Sequence, residues 1–177
     1  MFFHYRSPGL IIKKENRGEA DQLFTVYTKD FGKLEILAKS IRKISSKLRQ
    51  GAEIFYLSEI EFIQGKGYKT LTDASPIEKF KNLRQDLSRL KIAYQVTEIL
   101  DDFIKGPEPD ERIWNSTVRI FRKINDPKFP AKNLQQIYRY FLFNFVSFLG
   151  YGIKLADFKK LKSFSKEHLS RVLGVVK

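Results

Sequence analysis

"LAKSIRKISSKLRQG", residues 37–51, carries Lys39, Arg42, Lys43, Lys47 and Arg49 and no acidic side chain. Lys33, just upstream, is a sixth cation. An alternating apolar segment runs into this stretch and another apolar segment leaves it, so the charge lies between two strands. A solvated loop accounts for most charge runs. Five unneutralised cations in one connection also make a surface for a polyanion.

Upstream, "KLEILAK" places Leu34, Ile36 and Ala38 on one face and Lys33, Glu35 and Lys39 on the other, a half-buried strand. Before it, "DQLFTVYT" (residues 21–28) is β-branched and aromatic, and "KDFGK" supplies the turn. "PGLIIKK" gives an earlier strand. Downstream, "AEIFYLSEIEFIQ" (52–64) alternates Glu59 and Glu61 with Ile60 and Phe62. "GKG" at Gly65–Gly67 turns the chain into "YKTLTD". Five short strands within residues 1–74 suit a closed barrel of the oligonucleotide-binding (OB) type, since closure removes exposed edges. Such a barrel has one long excursion, between its third and fourth strands. The basic stretch occupies that excursion.

From position 75 the apolar period changes from two to between three and four. Ser75-Pro76-Ile77-Glu78 reads as a capping box with proline in the first turn. Phe80, Leu83, Leu87, Leu90, Tyr94 and Thr97 form a stripe, extended by Ala93, Val96, Leu100 and Phe103. This predicts one helix of about 28 residues, ending at "KGPEPDE". "DERIWNSTVRIFRKIN" predicts a second helix and "AKNLQQIYRYFLFNFVSFLG" a central third. "SKEHLSRVLGVV" predicts a last one. The expected fold is therefore α+β: an N-terminal five-stranded OB barrel over 1–74 and a C-terminal helical bundle over 75–177.

Composition narrows the function. Thirty-three Lys and Arg against 20 Asp and Glu give +13, an excess that attracts phosphate backbones or anionic headgroups. With no cysteine, this sequence assembles neither a disulfide nor a Cys-type zinc site. "YFLFNFVSFLGYGI" falls short of the roughly 20 residues of a spanning helix. The opening residues lack the apolar core and cleavage site of a signal peptide. No G-x-x-x-x-G-K-[ST] or G-x-G-x-x-G motif is present, and His4 and His168 lie in no recognisable triad setting. Neither an enzyme nor a cofactor is expected. Binding remains, and single-strand binders combine a cationic groove with aromatic platforms. Tyr27, Phe31 and Tyr68, beside turns or polar faces, are the aromatic candidates, although most barrel aromatics are core.

The order of these features resembles the RecO family, bacterial recombination mediators. That family reads an apolar G-I-V-L strand, an acid ahead of a strand ending in Thr, a Gly turn, then A-K-G leading into a basic stretch with a Lys-Ser pair. Gly9, Ile11, Glu19, Thr28, Gly32, Ala38, Lys39 and Ser46 fit in sequence; Ser40 stands at the family's Gly. "LRQDLSRLKIAYQVTEILDDFI", with Tyr94 and Glu98, resembles the family's first long helix, and "YFLFNFVSFLGYGIKL" the helix closing in L-G-Y. Many members carry a four-cysteine zinc module after that helix. "GIKLADFKKLKSFSKEHLSRVL" here is shorter and cysteine-free, so a minimal chain without a metal site is expected.

The resemblance implies a cytoplasmic, nucleoid-associated DNA-repair mediator. It would bind single- and double-stranded DNA, anneal complementary strands, and help load RecA on strands coated by single-strand binding protein (SSB). It implies RecR as a partner, and a helical-domain dock for the acidic, Phe-ended tail of SSB. An apolar pocket rimmed by cations would suit that tail. Arg119, Arg122, Lys123, Lys132 and Arg139 are the candidates for the rim. Two other readings of the residues stay open: a protein-interaction module whose charge serves an acidic partner, and an RNA-binding barrel.

Overall fold

In the computed structural model, which describes residues 3–150, five strands close into a barrel. They are β1 (His4–Arg17), β2 (Asp21–Thr28), β3 (Gly32–Ala38), β4 (Leu57–Ile63) and β5 (Lys69–Glu78). The order round the barrel is β1-β2-β3-β5-β4, antiparallel except where β3 meets β5. Long β1 bends to serve two neighbours, pairing β4 through His4–Leu10 and β2 through Gly9–Arg17. Three helices follow: α1 (Leu87–Phe103), α2 (Glu111–Asn125) and α3 (Leu134–Phe148).

Alternation sorts the strand side chains onto two cores. Ile11, Phe24, Val26, Leu34, Ile36, Ile60, Phe62 and Leu71 fill the barrel. Their neighbours Leu10, Ile12 and Tyr27 point outward and are just as buried, because the helices cover that wall. A strand buried on both faces shows no polar alternation, and residues 23–28 are buried without a break, Thr25 and Thr28 included. The outer core continues through Phe55, Leu57, Phe80 and Leu83 into the apolar faces of α1, α2 and α3. Barrel and helices thus share one interface rather than meeting through a linker.

Gly32 fixes how closely they meet. Its φ is +66°, and a Cβ there would lie 2.6 Å from the Glu108 carbonyl oxygen, so the β2–β3 turn lies flush on the α1–α2 connection.

Two helical expectations are corrected. The capping box at Ser75 is not a helix start. Ser75 and Pro76 lie in β5, opposite Glu59 and Ser58, because β5 must run on to pair the length of β4. The first helix therefore has 17 residues and starts at Leu87, capped by Asp86, whose carboxylate accepts from the Ser88 (2.8 Å) and Arg89 (3.2 Å) amides. Its apolar stripe is met in part: Ala93, Val96, Thr97 and Leu100 are buried as expected, Leu87 and Tyr94 are exposed, and Ile92 and Ile99 complete the core face. The second helix buries Ile113, Trp114, Val118, Phe121 and Ile124, as its pattern predicts. The expected last helix and His168 lie outside the described residues.

Arg89 is a charged residue inside this packing. Its guanidinium donates to the carbonyls of Ile124 (2.7 Å), Asp126 (2.8 Å) and Phe129 (2.7 Å), and lies 3.5 Å from the Asp86 carboxylate. It closes the carbonyl end of α2, where the helix dipole favours a cation. Arg89→Met keeps the bulk and strands those carbonyls. The expected cost is about 3 kcal/mol in urea unfolding at unchanged m-value. A loss under about 0.5 kcal/mol would show that the carbonyls need no guanidinium.

Candidate nucleic-acid interface

The β3–β4 connection, residues 39–56, is tied to the barrel at several points. Ser40, at φ +54°, donates its amide to Asp21 Oδ1 (2.7 Å), and the Arg42 amide donates to the Ala20 carbonyl (2.9 Å). Ile41 is buried in the barrel core, and Leu48, in a single 3₁₀ turn over Lys47–Gln50, packs against it. Gly51 presses so closely on β5 that a Cβ would sit 1.8 Å from the Ala74 carbonyl oxygen. The Ser58 hydroxyl donates to the Gly51 carbonyl (2.6 Å).

On this tied frame Lys39, Arg42, Lys43, Lys47 and Arg49 are all exposed. Among the described residues no carboxylate pairs with any of them; Arg42 alone is tethered, by a 3.3 Å bond to the Gly18 carbonyl. An open cavity of about 330 Å³ lies beneath, lined by Lys14, Gln22, Ile41, Arg42, Arg49, Ala52 and Glu53. Its one carboxylate, Glu53, is engaged by Lys14.

The outer face of β2 and β3 is the opposite case. Tyr27 and Lys33 sit side by side in register, and both face the helices. Tyr27 is 1% exposed, against Trp114 at 5.9 Å between ring centroids, with its hydroxyl donating to the Asp110 carbonyl (3.4 Å). Burial, with the Asp110 charge adding to it, pushes its phenol well above the ordinary value, so it stays neutral. Lys33 donates to the Asp101 carbonyl and pairs with its carboxylate at 3.1 Å. Neither is open to a ligand, which corrects both as site candidates. The alternation gave their direction rightly; it carries no sign of what covers that face.

Phe31 is half-buried, edge-on to Tyr5 (5.8 Å) and Phe62 (5.6 Å) at the barrel end. Tyr68, in the β4–β5 turn, is 42% exposed. Tyr5, stacked on Phe62 at 5.4 Å and partly exposed, is not among the sequence candidates, because β1 begins at His4, ahead of the "PGLIIKK" segment that marks the strand in the sequence.

The helical half has two open cavities either side of α2. One, about 490 Å³, lies between α2 and α3. Ile120, Ile137, Phe141 and Phe148 line it, with Arg112, Arg119 and Lys123 among the polar residues. The other, about 640 Å³, lies between α2 and the barrel, lined by Pro8, Lys29, Leu57 and Trp114 together with Arg119, Arg122 and Lys123. The rim candidates therefore divide. Arg119 and Lys123 border both cavities. Arg122 faces the barrel and pairs with Glu78 of β5 (2.6 Å), while Lys132 and Arg139 line neither. Arg112, which lies 5.2 Å over the Phe148 ring and pairs with Asp110 (2.7 Å), has no distinguishing mark in the sequence. Among the described residues no cluster of three or more His, Asp or Glu could hold a metal, and no helix is long and apolar enough to cross a membrane.

The family profile "Recombination protein O N terminal" matches residues 1–80, the barrel, and "Recombination protein O C terminal" matches residues 84–169. The chain belongs to the RecO family. It is 32% identical over 153 residues to the DNA repair protein RecO of Acetivibrio thermocellus, covering 84% of this chain and 58% of that protein. It is 37% identical over 97 residues to that of Heliobacterium modesticaldum (55% of this chain, 36% of that protein). With that of Moorella thermoacetica it shares 38% over 110 residues (62% and 41%). The chain thus spans about half the length of the RecO proteins it matches.

For this RecO-family barrel the covered β2–β3 wall makes a separable prediction. Lys33→Ala should lower stability by about 1–2 kcal/mol through the lost Asp101 contacts. It should leave the salt dependence of oligonucleotide binding unchanged. A reduced slope would place Lys33 on the phosphates instead.

Proposed function

We propose that the chain is a non-catalytic recombination mediator that holds DNA on its β3–β4 connection. The observation that supports this most is the set of five exposed cations at 39–49, none paired with a carboxylate among the described residues, on a frame tied to the barrel. Each phosphate they neutralise releases counterions, a term blind to base sequence and sensitive to salt. Single and double strands both present that backbone. Complementary strands neutralised on one surface lose the repulsion that keeps them apart, which favours annealing. In this reading the protein assists RecA loading on SSB-coated strands, works alongside RecR in the bacterial cytoplasm, and changes no covalent bond.

Labelled single-stranded DNA should bind without base preference. Alanine at Lys39, Arg42, Lys43, Lys47 and Arg49 should flatten the log–log salt slope by about 3.5 units if all five meet phosphates. Annealing of complementary oligonucleotides should slow with it. An unaltered slope would remove the connection from the interface.

The α2–α3 cavity supports a second element of the same role, a dock for the acidic tail of SSB. Its apolar floor suits an aromatic side chain, and Arg112, Arg119 and Lys123 suit flanking carboxylates. An acidic peptide ending in Phe should bind the full chain. Arg119→Glu with Lys123→Glu should weaken it about tenfold or more, while the five-alanine variant should not. Equal loss in both variants would reduce the contact to net charge.

A further inference from the structure

A turn corner ordinarily holds glycine, proline or a short polar side chain. The β3–β4 connection places an isoleucine there. The Ser46 amide donates to the Lys43 carbonyl at 3.0 Å, closing a four-residue turn with Ile44 and Ser45 as its corners. Ile44 is 95% exposed, the highest value among the large apolar side chains described. Three residues earlier, Ile41 is 1% exposed and belongs to the barrel core. One short segment therefore plants one isoleucine and presents the other.

Single apolar side chains scattered over a surface are ordinary. Ile44 differs in what surrounds it and in how it is held. Arg42 and Lys43 precede it and Lys47 and Arg49 follow, and none is held by a carboxylate of the described residues. The chain is fixed on both sides: by the Ser40 and Arg42 amides and the Ile41 side chain before the turn, by Leu48 and Gly51 after it. The side chain stands out from the barrel instead of folding back onto it.

A strand whose phosphates rest on flanking cations brings its bases to whatever stands between those cations. Proteins that unstack nucleic acid do so with apolar side chains inserted between base steps. We propose that Ile44 is such a wedge. Its side chain enters between adjacent bases of a single strand held by the loop cations, and so is the non-electrostatic part of that site. This rests on the reading of the connection as the strand site. An aliphatic wedge carries no hydrogen-bonding group, so it is indifferent to base identity. By parting one step it turns pairing edges away from their own stack, which is what a complementary strand needs in order to find them. The step makes and breaks no covalent bond.

The full chain is titrated with a single-stranded oligonucleotide carrying 2-aminopurine, whose emission rises when it loses its stacking neighbours. Ile44→Ser should reduce affinity at fixed salt about tenfold, the worth of burying most of one isoleucine side chain. It should abolish the emission rise and leave the log–log salt slope unchanged. Because the side chain is exposed, the thermal midpoint should not move. Ile44→Leu, equally apolar and without a ring to stack on the probe, should keep affinity and emission near those of the unaltered chain, which a loss caused by any change at the turn corner would not. Ile44→Ser with unchanged affinity and emission overturns the wedge. So does a shifted slope in that variant, since the effect would then pass through the cations. The underlying reading fails separately: a five-alanine variant with unchanged slope takes the strand off the connection whatever Ile44 does.

Discussion

The rest of the structure depends on the burial of an apolar stripe on the outside of the barrel. Leu10, Ile12 and Tyr27, joined by Phe55 and Leu57, lie beneath Phe80, α1 and α2. Each such side chain stabilises by about 1.5–3 kcal/mol when taken from water, so the five together rival the net stability of an ordinary domain. The barrel and the helices are therefore not independent bodies. Gly32 against Glu108, Lys33 on Asp101 and Tyr27 on Asp110 are the polar and steric stitching round the edge of that patch.

The same contact decides where charge is left over. Round the covered wall three cations have counter-charges: Lys33 with Asp101, Lys13 with Glu15 (2.8 Å), and Arg122 with Glu78 at the other margin. The 39–49 part of the β3–β4 connection has no such partners among the described residues. Its five cations repel one another, and the backbone ties at Ser40, Arg42 and Gly51, the Arg42 guanidinium on the Gly18 carbonyl and the packing of Ile41 and Leu48 hold them together. A polyanion relieves that repulsion without the loop having to be reordered first, which is how preorganisation turns charge into affinity.

What was legible in the sequence follows the range of the forces involved. Period-two alternation and the basic crossover are local, so the five strands and the exposed cations could be read directly. The helix expected at Ser75 failed because its motif satisfies a local rule that strand pairing overrides. Glu59 and Ser58 of β4 need partners, and Ser75 and Pro76 provide them. Tyr27 and Lys33 failed for a related reason. The face a side chain points to is written in its own strand; the cover over that face comes from residues 83 positions later for Tyr27 and 68 for Lys33. Arg89 had no legible signal either, since its three carbonyl partners come from the far end of another helix and the turn that follows it.

The arrangement also bears on whether the two proposed sites interfere. The connection is tied by Arg42 at Gly18 and by the Ser40 amide at Asp21, where β1 turns into β2. Arg119 and Lys123 face Pro8 and Lys29, at the opposite end of the same ladder. Gly9 to Arg17 is eight residue steps of paired strand, roughly 25 Å along the chain at about 3.3 Å each. The Debye length at physiological salt is about 8 Å, so charge bound at one end is largely screened from the other. An acidic partner on α2 would not compete electrostatically with a strand on the connection. Coupling between them would have to pass through the packing of Leu10, Ile12 and Tyr27, the wall that both ends of the ladder share.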